Sequence, residues 1–281
     1  MASSDTDIRS VLAFTVELAK HVGRMLENRP ENLEISTKTS ATDVVTHMDQ
    51  LAEKVIVEAI QVQFPSDSIV GEEGTFLSGT SEYSWIIDPL DGTVNYTYDL
   101  PAWSISIARI NQKTRMTQVG VVHAPALART YWAAEGEKSW LEHNGVKKEI
   151  TVSDCEVLAQ ALVGTGFGYE YNRRAGQARV LNTVLPNVRD IRRLGSCAID
   201  LCLVAEGVLD AFFERGVNPW DHSAGALIAR QAGAIVSGLH GEHESDEMIV
   251  VANATLHKQL VQILETCEAD KDEPAKEFQS L

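Results

Sequence analysis

The chain has 281 residues, 44% of them hydrophobic and 23% charged, which suits one large globular unit or two closely joined subdomains and excludes general disorder. A formal net charge of −16 argues against broad attraction to nucleic acid or anionic lipid, so an anionic substrate would need a local positive device such as a bound cation. Cys155, Cys197, Cys202 and Cys267 lack CxxC or zinc-like spacing, MASSDTDIRS lacks a basic and apolar leader, and no apolar run reaches membrane-span length, so a soluble cytoplasmic protein with reduced thiols is expected.

In chain order, Ile8, Val11, Leu12, Thr15, Leu18, Ala19, Val22 and Leu26 recur at helical spacing and predict a helix over about 6–28, ended by Pro30. Thr46 and Asp49 form a capping-box-like start to a second helix, which stops before Pro65. From Ser68 to about Ile150, β-type runs separated by Gly, Pro, Asp and Asn predict a long antiparallel sheet. After Asp154, strand-like pieces (161–164, 188–192, 209–214, 249–252) alternate with helical ones (174–185, 196–206, 219–232, 255–265), the pattern of α/β layers. The predicted organisation is an α+β subdomain over 1–150, an α/β subdomain over 151–266 and a charged, disordered tail over 267–281. Gly164-Thr165-Gly166-Phe167-Gly168 has the wrong third spacing for a dinucleotide loop and reads as a turn between subdomains.

Trp85-Ile86-Ile87-Asp88-Pro89-Leu90-Asp91-Gly92-Thr93-Val94-Asn95-Tyr96 carries the most chemistry. A β run delivers Asp88 at its end, and Pro89 and Gly92 permit a tight turn that aims Asp91 at the same point. Two such carboxylates repel unless a cation neutralises them. Gly92 and Thr93 could open a short helix presenting free N–H groups to an anion. Asp-Pro-x-Asp-Gly equally describes an ordinary surface turn. Glu72, after the apolar run 68–70, equally describes a solvated acidic turn, and Asp221, three residues after Asn218, a helix cap.

Together, however, Gly71-Glu72-Glu73, the WIIDPLDGTVNY element and Trp220-Asp221-His222-Ser223-Ala224-Gly225 resemble, in order and separation, the signature motifs of the inositol monophosphatase family. Lys38-Thr39-Ser40-Ala41-Thr42-Asp43, with Thr46 and Asp49, resembles the family's N-terminal lysine and TxxD elements, and Arg192 to Cys202 its substrate motif. Five ordered motifs over roughly residues 10–235 are far more specific than one DxxDG.

The resemblance implies the layered αβαβα sandwich of the lithium-sensitive sugar-phosphatase superfamily, of mixed α+β and α/β character, and a Mg²⁺-dependent phosphomonoesterase with most metal ligands in the first subdomain. It implies hydrolysis of myo-inositol monophosphate to myo-inositol and phosphate by metal-activated water. Two to three Mg²⁺ are implied: Glu72, Asp88 and the Leu90 carbonyl at one, Asp88, Asp91 and Asp221 at a second, and a weaker third near Glu72. Glu72 and Thr93 would orient the water, with Asp49 accepting from the Thr93 hydroxyl or else serving only as a first-turn cap. Gly92 and Thr93 N–H groups would cradle the phosphate, Gly195, Ser196, Cys197 and Glu214 would read the substrate hydroxyls with Asp221 on the leaving-group side, and Glu72, Leu90 and Asp91 would also bind substrate. Cys197 departs from the commoner Ala. Glu214, at the end of an apolar run, would accept from vicinal hydroxyls or else is a surface acid. Lys38 would reach the phosphate through water or else is merely solvated. A small phosphorylated polyol and a second copy of the chain are the expected partners, with no membrane and no direct nucleic acid. Histidinol phosphate, fructose 1,6-bisphosphate or a 3′-phosphonucleotide is the alternative substrate, and a non-catalytic regulatory or RNA-associated protein the alternative class.

Overall fold

The computed structural model describes residues 7–30, 33, 35–37 and 44–273. Lys38 and the rest of its motif as far as Asp43 lie outside the described residues, as does 274–281. The chain opens with α1 (Ile8–Glu27), the antiparallel pair β1 (Ile35–Thr37) and β2 (Val44–Thr46), and α2 (His47–Gln63). Next come β3 (Ser68–Gly71), β4 (Phe76–Leu77), β5 (Tyr83–Asp91), the short helix α3 (Thr93–Thr97), β6 (Ser104–Asn111), β7 (Thr117–Ala124), β8 (Arg129–Ala134), β9 (Trp140–His143) and β10 (Val146–Glu149). The remainder is β11 (Leu162–Thr165), α4 (Tyr171–Val184), β12 (Asp190–Arg192), α5 (Cys197–Ala205), β13 (Ala211–Glu214), α6 (Pro219–Gln231), β14 (Ile235–Ser237), β15 (Ile249–Ala252) and α7 (Ala254–Thr266).

Three cores stack these elements into five layers. Val11, Leu18, Val22 and Leu26 of α1 and Ala52, Ile56 and Ile60 of α2 pack on Trp85, Ile87, Ile105, Ile107, Val119 and Val121 of an eight-stranded sheet. The other face of that sheet (Ile86, Ala108, Val122, Tyr131) buries α5 and α6 against Phe212 and Val251 of a five-stranded sheet. The far face of the second sheet, with Val163, Phe213 and Val250, buries Val180 and Val184 of α4 and Leu256, Leu260 and Leu264 of α7. The result is a layered αβαβα sandwich, in which helices and sheets each hide their apolar side against a neighbouring layer. The change from one sheet to the other falls between Glu149 and Leu162.

Several expectations need correction. The first sheet is not wholly antiparallel: β3 runs parallel to β5, because the chain turns back as β4 on the outer side of β3 before it returns as β5 on the other side. The Asp88–Asp91 segment is not a turn after the strand. β5 continues through it with a bulge, pairing Asp88 with Ser106 and Asp91 with Ser104, so Pro89 and Leu90 on β5 stand opposite Ile105 alone on β6. Pro89, which has no N–H to give the ladder, accounts for the break. Residues three apart on a regular strand point to opposite faces; the extra residue puts Asp88 and Asp91 on the same face, toward α5 and α6. Gly164 and Thr165 belong to β11 rather than to a turn between subdomains. Finally, the segment from Cys267 is held as far as Glu273. The Arg179 guanidinium donates to the Cys267 carbonyl and pairs with Glu273, and Arg215 pairs with Asp272.

β5 is anchored upstream of the bulge by a buried cluster. Asp67 accepts from Trp85 Nε1 at 3.0 Å and from Arg109 Nε at 2.9 Å, while the Arg109 guanidinium lies 3.7 Å from the Tyr83 ring centre. The charge is paired and hydrogen-bonded, which is what allows it to be buried, and it pins the strand that carries the acidic motif.

Candidate active site

The acidic residues converge where β3, β5 and α6 meet. Glu72 stands in the turn after β3, its N–H donating to the Ile87 carbonyl at 3.1 Å, which fixes it beside β5. Asp88 is almost fully buried, and its Oδ1 accepts from Leu90 N at 3.0 Å. Asp221 is the third residue of α6 and caps the helix by accepting from Asn218 N at 2.6 Å. One carboxylate oxygen from each of Glu72, Asp88 and Asp221 lies within 4.8 Å of the others. Among the described residues this is the one group of three or more such side chains that could hold a metal ion. Asp91, expected beside them, turns Oδ2 toward α5, accepting from Ser196 Oγ at 2.5 Å and Ala198 N at 2.8 Å. It joins the first sheet to the substrate motif as well as facing the cluster.

Thr93 is the first residue of α3. Its hydroxyl lies 2.8 Å from Asp49 Oδ1 and 3.1 Å from the Leu90 carbonyl. Asp49 keeps its capping role too, since Oδ2 accepts from Thr46 N at 2.8 Å and Thr46 Oγ1 at 2.6 Å. The two readings of Asp49 are therefore compatible: one oxygen caps α2 and the other holds Thr93. Gly92 has φ +90°, and a Cβ there would lie 2.8 Å from the Ala102 carbonyl and 3.2 Å from that of Gly195. That close approach brings the substrate motif against the start of α3. Asn95 Nδ2 fastens the two, donating to Ala102 O at 2.6 Å and Leu194 O at 2.8 Å.

Gly195 also has φ +90°, leaving its α-carbon free of a side chain against the Arg193 guanidinium. Ser196 caps α5, accepting from Ile199 N at 3.2 Å, and Cys197 is buried beside it. Glu214 ends β13 with its carboxylate against Gly166, where a Cβ would lie 2.1 Å from Oε1. Three features of the site were not assigned from sequence: Gly166, Arg193 and Asp200. Asp200 is fully buried, and neither of its carboxylate oxygens has a hydrogen-bond partner among the described residues. Burial pushes its pKa well above the ordinary carboxylate range, and the charges of Glu214 and Asp91 push the same way.

Burial is also the first cause of the raised pKa values of Asp88, Asp91, Asp221 and Glu214. The charges of Glu72, Asp91 and Asp221 push Asp88 further up. Asp91 reaches about 7 and Glu214 about 8. A carboxyl with a raised pKa keeps its proton in the folded chain after the unfolded chain has lost it, so its stabilising contribution falls as pH rises toward the folded value. His123 and His222, lowered to about 4 by burial, act oppositely, but only below the ordinary imidazole pKa of about 6.5. Between about 6.5 and 8 the carboxyls act without that opposition. The Tm of chelator-treated protein should therefore fall across this window in differential scanning fluorimetry, and a divalent cation should raise it more at the upper end. A flat profile with and without cation would contradict this electrostatic picture.

Against known proteins, the model of the inositol monophosphatase family matches residues 7–269. The inositol-1-monophosphatase SuhB of Mycobacterium tuberculosis is 41% identical over 207 residues, covering 72% of this chain and 71% of that protein. The Nus factor SuhB of Pasteurella multocida is 34% identical over 268 residues, 93% of this chain and 98% of that one. A Thermotoga maritima protein named fructose-1,6-bisphosphatase/inositol-1-monophosphatase is 34% identical over 258 residues, 90% and 95% of the two chains. Among solved structures, the extragenic suppressor protein suhB of Bartonella henselae superposes with a TM-score of 0.84 at 29% identity, over 91% of this chain and 98% of that one.

Proposed function

The chain belongs to the inositol monophosphatase family, and from that premise we propose that it is a Mg²⁺-dependent phosphomonoesterase whose substrate is myo-inositol monophosphate. The observation that carries this reading is the convergence of Glu72, Asp88 and Asp221 beside the Thr93–Asp49 pair. Such closely set, mutually repelling oxygens, with Asp88 buried and Glu72 and Asp221 partly so, suit a small hard cation and not a soft one. Glu72, Asp88 and Asp221 would hold Mg²⁺, with the Leu90 carbonyl and Asp91 completing the donor set. When bound, Mg²⁺ supplies positive charge to the phosphoryl oxygens and the leaving oxygen and lowers the pKa of water.

The chain's own groups do the rest. Thr93, its hydroxyl hydrogen engaged by Asp49 and Leu90, is left with lone pairs to accept from a water, and Glu72 accepts that water's other proton. The water's own lone pair then faces phosphorus, and no phosphoenzyme is needed. Main-chain N–H groups of Gly92 and Thr93 would donate to the phosphoryl oxygens. Asp221 lies on the leaving-group side. Gly195, Ser196, Cys197 and Glu214 would line the polyol, with Glu214 accepting from two vicinal hydroxyls.

A substrate panel tests the assignment. Inositol monophosphate should exceed histidinol phosphate and a 3′-phosphonucleotide in kcat/KM, and Glu214→Ala should cost about 1–3 kcal/mol, ~10–100-fold, on inositol phosphate alone. Preference for another ester by orders of magnitude would refute the substrate, and fructose 1,6-bisphosphate belongs in the panel because of the Thermotoga relative's name. A regulatory reading is favoured by one observation, the name Nus factor carried by the Pasteurella relative. A variant without turnover that keeps its biological activity would support it.

A further inference from the structure

α2 presents a second buried acid, Glu53, one helical turn beyond Asp49 and on the same face. Its partners are not the core but the turn that carries Glu72. Glu53 Oε2 accepts from Glu73 N at 2.8 Å, and Oε1 accepts from Thr75 N at 3.1 Å. The carboxylate thus clasps the turn at two main-chain donors, a charge-assisted arrangement stronger and more directional than neutral hydrogen bonds. Gly71 makes the clasp possible: a Cβ there would lie 2.3 Å from Glu53 Oε2 and 2.5 Å from its Cδ, so the carboxylate fills the space a side chain would need. The turn closes on itself as well, Gly71 N donating to Thr75 O at 2.9 Å. Glu72 is consequently fixed from two sides, by the Ile87 carbonyl of β5 through its own N–H and by Glu53 through its neighbour's.

From this geometry we infer that Glu53 is a positioning residue for Glu72, and that α2 is the common frame of the water-orienting pair. One helix face holds Thr93 through Asp49 and Glu72 through Glu53, so the separation of Glu72 from Thr93 is set by a single rigid turn of helix. Glu53 has this role only if Glu72 holds the cation and the water, as proposed above. Glu53 touches neither.

The test compares wild type, E53Q, G71A and D88N with Mn²⁺ and Mg²⁺, using titration calorimetry and Mn²⁺ electron paramagnetic resonance beside activity. E53Q keeps the shape but turns an amide NH₂ against one of the two N–H donors. G71A keeps the carboxylate but forces it off the turn. Both should weaken metal binding and lower kcat at saturating metal by ~10–100-fold, the range for groups that orient a metal ligand from behind. KM for the phosphomonoester should change less than about threefold, since the phosphate-binding N–H groups of α3 are not touched. If Glu53 only stabilised the fold, Tm would drop while metal affinity and kcat of the folded protein stayed at wild-type values, and the inference would be overturned. E53D, with the charge one methylene shorter, gives the same readouts if E53Q does not fold. Failure of wild type itself to bind metal, with D88N no different, would overturn the metal reading and the role of Glu53 with it, an outcome distinct from a loss of Tm alone in E53Q and G71A.

Discussion

Asp88→Asn is expected to remove turnover almost completely while leaving the metal-free fold at least as stable as wild type. The two halves have one cause. Asp88 is 1% exposed and faces Glu72, Asp91 and Asp221, so without a cation burial and these neighbours disfavour its charge. Replacing it by an isosteric amide removes the desolvation of an anion and three repulsions together. With a cation held as proposed, the same change would take away one of its ligands. Charge stabilisation by such an ion is worth several kcal/mol, so turnover should fall by ~10³-fold or more at about 1.36 kcal/mol per decade. Differential scanning fluorimetry with and without Mg²⁺ reads both halves: the variant's Tm should match or exceed wild type in chelator and should not respond to Mg²⁺. Retention of more than about a tenth of wild-type turnover would rule out Asp88 as a ligand.

How much of this was legible in the sequence depended on where each residue's partners lie. Asp49, Asp88, Asp91, Thr93 and Asp221 sit in local patterns, a cap or a DxxDG, that signal themselves, although the local pattern alone could not separate chemistry from ordinary turns. The bulge in β5 reads as a turn in the sequence because Pro89 and Gly92 are turn residues; only the pairing with Ser104 and Ser106 on β6 decides that the strand continues. Glu53 gave no signal. Its partners are 20 and 22 residues away, and within α2 it is one more acid on an amphipathic pattern. Gly166 acquires meaning only against Glu214 from another strand. The segment after Cys267 looked disordered on composition, since its charges find Arg179 and Arg215 only in the folded chain. Within the β-rich stretch, β10, Val146–Glu149, is an exposed edge with no apolar alternation to mark it as a strand.

Asp49→Asn and Thr93→Ala, made singly and together, should each cost ~10²–10³-fold in kcat, and the double variant should be little worse than either. Asp49 reaches the reaction only through the Thr93 hydroxyl at 2.8 Å, so once that hydroxyl is gone the acid has no catalytic partner left. Independent contributions would instead multiply. The amide that replaces the Asp49 carboxylate can turn its nitrogen toward Thr93 and donate where the acid accepted, which reverses the hydroxyl and removes a lone pair from the water. The amide oxygen still accepts from Thr46 N in that orientation, but both variants lacking the acid lose the negative charge in the first turn of α2, about 0.3–1 kcal/mol of stability that T93A keeps. The stability term is therefore additive where the catalytic term is not. Thermal unfolding and single-turnover rates on the same three proteins separate the two. Multiplicative losses in kcat would mean that Asp49 acts on the reaction by a route other than Thr93, such as by holding α2, and with it Glu53 and the Glu72 turn, in place.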